Sequence, residues 1–111
     1  MRITQRSSGP VTILDLDGPI TRNDGYGEVK AAVAPLVQQD DTRILLNMAG
    51  VSYMDSTGIG ELVSVFISVR NRQGKLKIVH LTDRMRELFE VAQLVKVFEL
   101  FDDEATAVES F

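Results

Sequence analysis

Tyr53-Met54-Asp55-Ser56-Thr57-Gly58-Ile59-Gly60-Glu61 stands between the most apolar short run of the 111-residue chain and its most regular helical pattern. The run before it, Ile44-Leu45-Leu46-Asn47-Met48, shows no polar alternation. That suits a strand covered on both faces, in the middle of a sheet with helices on both sides. After it, Ile59, Leu62, Val63 and Phe66 recur at i, i+3, i+4 and i+7, the spacing of a helix with one face on a core. Val65, Ile67 and Val69 widen that apolar surface. The quoted stretch is therefore a strand-to-helix junction. In open α/β sheets such junctions lie outside the carboxyl ends of the strands, where sites gather. Asp55 and Ser56 fall at or just before the first turn, beside unpaired N–H groups and the positive end of the helix dipole. Each glycine in that turn costs roughly 1 kcal/mol relative to alanine. Gly58 and Gly60 therefore call for a steric reason, either close helix packing or close approach by another protein.

Outward from the junction, strand and helix patterns alternate. Residues 2 to 6 can pair as an edge strand, Ser7-Ser8-Gly9-Pro10 is a turn signal, and Val11 to Leu16 reads as the second strand of a hairpin. Asp17-Gly18-Pro19 breaks it. Asn23 or Asp24 is placed to cap a helix from about Tyr26 to Gln38, whose apolar members are Val29, Ala32, Val33, Leu36 and Val37, with Pro35 inside the pattern. Ala49-Gly50 signals a turn after the central strand. Asn71-Arg72-Gln73-Gly74 ends the helix that follows the junction. Lys75 to Leu81 reads as a strand. Thr82 or Asp83 caps a helix with Met85, Leu88, Phe89 and Ala92 on one face. Val97 to Phe101 is a short strand, and Asp102-Asp103 caps a last helix with Ala105, Val108 and Phe111 inward. This order predicts an α/β fold. Its central sheet is mixed but mainly parallel, with about five strands, about four helices and right-handed crossovers. Residues 1–111 read as one domain.

Composition narrows the function. The chain is 44% hydrophobic and 25% charged, with a formal charge of −4, as expected of a folded soluble domain. An acidic balance argues against nucleic acid or an anionic membrane as the main partner, since both reward clustered Lys and Arg. There is no cysteine, which excludes disulfides, thiol catalysis and cysteine-ligated zinc. No secretory signal segment and no apolar run of membrane-spanning length is present, so a cytoplasmic domain is the simplest expectation. Asp102-Asp103-Glu104 reads as a solvated helix start rather than a metal site. Arg70, Arg72, Lys75 and Lys77 read as a solvated basic face around a turn. No metal and no cofactor is expected.

The Ser56 hydroxyl is either a cap or a site of chemistry. A hydrolase elbow needs G-x-S-x-G, and Met54 occupies the place of its first glycine. The single histidine, His80, sits inside a strand pattern, so no catalytic residue is assigned. Gly58 and Gly60 match the first part of a dinucleotide fingerprint, but Val63 replaces its third glycine, and no phosphate-loop lysine motif occurs. The remaining reading is a hydroxyl that receives phosphate at a docking edge.

Val51-Ser52-Tyr53-Met54-Asp55-Ser56-Thr57-Gly58-Ile59-Gly60 resembles the signature of bacterial anti-sigma-factor antagonists, the STAS-domain proteins. Leu16-Asp17-Gly18-Pro19-Ile20 is similar to that family's pattern after its second strand, and the element order agrees from Val11 onward. Thr21 stands where many members carry an acid. The resemblance implies that Ser56 is the phosphorylated serine, with Thr57 its rival, and that an anti-sigma factor with serine-kinase activity is the partner. Unphosphorylated, the chain would bind that factor and free a sigma factor; a serine phosphatase would reset the switch. Asp55, Ser56, Thr57, Gly58, Ile59 and Gly60 would form the docking edge, joined by Asn23 and Asp24 from the neighbouring loop. Two alternatives stand beside this reading. One is a non-switching scaffold or transporter-associated subunit of the same fold. The other is a small enzyme or nucleotide-binding domain using the Ser56 edge.

Overall fold

The computed structural model describes residues 1–111. Strands β1 (Arg2–Ser8), β2 (Val11–Asp17), β3 (Arg43–Gly50), β4 (Lys75–Val79) and β5 (Leu100–Phe101) lie in the order β1-β2-β3-β4-β5. β1 runs antiparallel to β2, and every later pair is parallel. The hairpin is tighter than the turn signal suggests. The strands pair through Ser8 and Val11, leaving only Gly9-Pro10 as the link. Helices α1 (Glu28–Gln38), α2 (Ser56–Asn71), α3 (Asp83–Val91) and α4 (Glu104–Glu109) complete the chain, with a single 3-10 turn at Leu94–Lys96. No helix is long and apolar enough to cross a membrane.

The two faces of the sheet are covered unequally. On one face, Leu14, Leu16, Ile44, Leu46, Met48, Leu76 and Ile78 pack under α1, α2 and α3 in a cluster of 20 buried residues. On the other, Val11, Ile13, Leu45 and Val79 meet only Ala107 of the short α4, flanked by Phe101, Val108 and Phe111. β3 is buried on both sides from Ile44 to Leu46, which explains its unbroken apolar run. It also continues through Ala49-Gly50, because Asp17 pairs with Gly50 across a register shift in β2.

Several local expectations change in the fold. α1 begins at Glu28 behind Gly27, with no side-chain cap of its own, so neither Asn23 nor Asp24 caps it; it then runs unbroken through Pro35. The buried stripe of α2 is Gly58, Glu61, Leu62, Val65 and Val69. Ile59, Val63 and Phe66 lie at its margins, because α2 packs beside α1 on the sheet and turns Val65 and Val69 inward. β4 stops at Val79, and His80 adopts a left-handed backbone (φ 64°) just beyond it. Thr82 caps α3, accepting from the Met85 N–H at 3.2 Å. Ala92 has left the buried face, since the chain turns away there at Gln93. β5 shrinks to two residues because Val95–Val97 belong to the 3-10 turn and its exit, where Phe98 inserts against Phe66 and Phe89. Asp103 alone caps α4, and Ala107 rather than Ala105 is its inward alanine.

Lys77 is the clearest correction. It is 4% exposed rather than part of a solvated basic face. Its Nζ donates to the Ser110 carbonyl at 2.8 Å and to Ser110 Oγ at 2.9 Å, and it pairs with Glu99 at 2.8 Å. The ammonium also lies 4.8 Å from the centre of the Phe111 ring. A buried cation is tolerated because each donor is met and the carbonyl belongs to the negative end of α4.

Candidate functional site

β3 leads through Val51–Met54 into α2, and both flanks of that junction are pinned. Ile20 N–H donates to the Tyr53 carbonyl at 3.0 Å, and Ile20 and Met54 form a parallel bridge. Both side chains are buried. Asp55 is the N-cap of α2. Its Oδ1 accepts from Gly58 N–H at 2.9 Å and its Oδ2 from Arg22 N–H at 3.0 Å. One carboxylate thus closes the helix and clips the β2–α1 loop to it. The Arg22 amide, followed by that of Gly58, holds the Asp55 carboxyl below its ordinary range.

Ser56 is the first helical residue, exposed, and its hydroxyl makes no hydrogen bond within the chain. Thr57 is half-buried one step further in. Two of the nearby amides are engaged: Gly58 N–H on the Asp55 side chain, and Ile59 N–H on the Asp55 carbonyl at 3.0 Å. A phosphate on Ser56 would therefore find fewer free donors than a bare helix start offers, and would stand beside an ionised Asp55. Its charge would face outward.

The two glycines have different reasons. A Cβ on Gly58 would lie 1.9 Å from the Ile20 carbonyl oxygen, so this buried glycine lets α2 lie against the loop backbone and is not part of the exposed edge. A Cβ on Gly60 would meet nothing within 4 Å. Gly60 opens onto a depression of about 310 Å³, lined also by Ser56, Thr57, Tyr26 and Lys30. Ile59 is half-buried against the core. Asn23 and Asp24 are exposed at the tip of a tight turn, closed by Thr21 N–H donating to the Asp24 carbonyl at 2.8 Å and Asp24 N–H donating back at 3.2 Å. The Arg22–Asp55 bond brings that turn alongside α2.

Three residues beside the site escaped the sequence reading. Glu61 is 5% exposed, and its two oxygens accept from Gly27 N–H at 2.7 Å and Lys30 N–H at 3.1 Å. It caps α1 from another helix. Its signal in the sequence was an acid three residues after Gly58 and four before Val65, inside the true apolar stripe; a stripe drawn through Ile59 and Val63 hides it. Tyr26 is 59% exposed and Tyr53 38%. Arg84 of α3 covers the Tyr53 ring at 4.7 Å. Tyr26, exposed on the glycine-opened depression, is of the residue type enriched at protein-docking surfaces. No group of three or more His, Cys, Asp or Glu residues is arranged to hold a metal.

A family model described as the STAS domain matches residues 2–107. The anti-sigma-B factor antagonist of Listeria monocytogenes is 37% identical over 82 residues, covering 67% of this chain and 72% of the relative. That of Bacillus subtilis is 37% identical over 73 residues, covering 65% of each chain. Among solved structures, an anti-sigma factor antagonist from Mycobacterium paratuberculosis superposes with a TM-score of 0.84 at 16% identity, covering 98% of this chain and 92% of the other. The phosphorylated form of the Bacillus cell fate determinant SpoIIAA superposes with a TM-score of 0.73 at 18% identity, covering 98% of each. At such identities the structural likeness speaks for the fold.

Proposed function

The chain belongs to the STAS-domain family, and on that premise we propose that it is an anti-sigma-factor antagonist switched by phosphorylation of Ser56. The observation that carries the reading is the Ser56 hydroxyl itself. It is exposed, unbonded and held at the first position of α2, while the Gly58 and Ile59 amides beside it are committed to Asp55. It is built to be reached rather than to react, and no base lies beside it other than an ionised, doubly bonded Asp55. In this scheme the chain is a substrate and a binding protein, not a catalyst. A cytoplasmic anti-sigma factor with serine-kinase activity supplies the nucleotide, binds the unphosphorylated form and releases its sigma factor. A serine phosphatase restores the hydroxyl.

The switch is electrostatic. Phosphorylation adds about 1.5 to 2 negative charges and three acceptor oxygens. With the Gly58 and Ile59 amides already taken, that charge is left on the docking edge. The fold survives and the partner surface no longer matches.

Intact mass after incubation with ATP and serine kinases from the same cell tests the reading directly. A single phosphate, absent from Ser56→Ala and accompanied by loss of partner binding, is expected. Ser56→Ala retains binding and Ser56→Asp loses it. Equal binding by both variants would sink the charge switch, and phosphate on Thr57 would move the site. Tight binding to a transporter subunit with no phosphorylation would favour the non-switching alternative.

A further inference from the structure

The loop between Arg22 and Gly27 is held to α2 at both ends, each time by a carboxylate of that helix or its cap. Asp55 takes the Arg22 N–H, and six residues further along Glu61 takes the Gly27 N–H. Glu61 also takes Lys30 N–H, so the first turn of α1 is fixed by the same side chain. Gly27, the N-cap of α1, has a left-handed backbone (φ 86°) and contributes no side-chain cap. Without Glu61 the start of α1 would have no acceptor for these two amides. Burial makes the bond consequential, since Glu61 is 5% exposed and its carboxylate has these two amides in place of water.

The loop so held presents Tyr26 between Gly25 and Gly27, both left-handed. Tyr26 is the most exposed aromatic side chain of the chain and lines the same depression as Ser56 and Gly60. Tyrosines rigidly displayed beside an open surface are the residue type that anchors protein interfaces, because few rotamers are lost on binding. We infer that Glu61 is a positioning residue that fixes the Arg22–Gly27 loop so that Tyr26 serves as the anchor for the protein that acts on Ser56. The inference rests on the switch reading only for the identity of that protein; the clamp itself does not.

The test compares wild type with Glu61→Gln, Gly27→Ala and Tyr26→Ala. Gly27→Ala strains the same loop through its left-handed backbone (φ 86°) without a clash, since its Cβ meets no neighbour, and so keeps the question answerable should Glu61→Gln fold poorly. Amide hydrogen exchange reads the clamp, and steady-state phosphorylation of Ser56 by the kinase that modifies wild type reads the anchor. In Glu61→Gln, exchange at Gly27 and Lys30 should quicken about tenfold or more while Leu46 and Val65 hold, because one amide then faces an NH₂ group. KM should rise about tenfold in Glu61→Gln and Tyr26→Ala, with kcat within about twofold, since a lost preorganised contact removes uniform binding. Unchanged exchange at Gly27 and Lys30 overturns the clamp. Quickened exchange with an unchanged KM overturns the positioning role and leaves Glu61 purely structural. Should no kinase modify wild-type Ser56, the switch reading fails instead, and the exchange measurement still decides the clamp.

Discussion

Glu61 and Lys77 are the two buried ionisable side chains of this protein, and they do mirror-image work on opposite faces of the sheet. Glu61 reaches from α2 to the amides that start α1; Lys77 reaches from β4 to the carbonyl that ends α4. Each places its charge against the helix pole of opposite sign. They differ in what lies next to them. Glu61 adjoins Ser56, Gly60 and Tyr26, so its bond shapes an exposed edge. Lys77 adjoins Phe101 and Phe111 and fastens a six-residue helix that covers the back of the sheet. A buried charge can thus be spent on fold or on site, and its neighbours decide which.

The comparison is sharpest where a substitution separates stability from binding. Gly58→Ala should be the most damaging change near the edge. Its Cβ would collide with the Ile20 carbonyl, and such backbone overpacking costs about 3 kcal/mol or more; urea unfolding reads it directly. Lys77→Met should lower stability by about 2–3 kcal/mol by orphaning the Ser110 carbonyl, yet leave partner affinity unchanged. Loss of affinity in that variant would break the division between the two charges. Glu61→Ala should cost about 2 kcal/mol through its two amide bonds and, unlike Lys77→Met, weaken partner binding as well.

Acid titration gives a smaller and graded effect. Asp55, Asp15, Asp103 and Glu104 all have carboxyl pKa values below their ordinary ones. The main causes are the Arg22 amide for Asp55, Arg6 for Asp15 and Glu104, and the Thr106 amide for Asp103. A lowered folded value means stability that is fully present above the ordinary carboxyl range near pH 4 and is lost as pH falls through the folded values. The urea midpoint should therefore stay level to about pH 5 and fall below it, and Asp55→Asn should flatten part of that fall. The smallest effect is expected at Gly60→Ala. With open space around its Cβ, helix propensity should raise stability by up to about 1 kcal/mol. Reduced partner affinity in this more stable variant would mark the depression as occupied in the complex.

The order of elements, the parallel sheet behind one hairpin, the central β3 and the Asp55-Ser56 junction were legible in the amino-acid sequence, because each depends on short-range periodicity and capping chemistry. The same local rules misled where a neighbour outbid them. Asn23 and Asp24 had the chemistry of caps, but a carboxylate more than thirty residues away took the α1 amides. Val97 to Phe101 had a strand pattern, but Phe98 is buried against Phe66 and Phe89, and only Leu100–Phe101 joins the sheet. Lys77 read as surface because its acceptors, Ser110 and Glu99, are distant in sequence. By itself the sequence determined where the Ser56 hydroxyl would stand and that a helix would begin there. Tertiary structure alone decided which way α2 would face. That rotation separates buried Gly58 from open Gly60 and makes Glu61 the clamp on the Arg22–Gly27 loop, because packing between α1, α2 and the sheet joins residues that no local pattern connects.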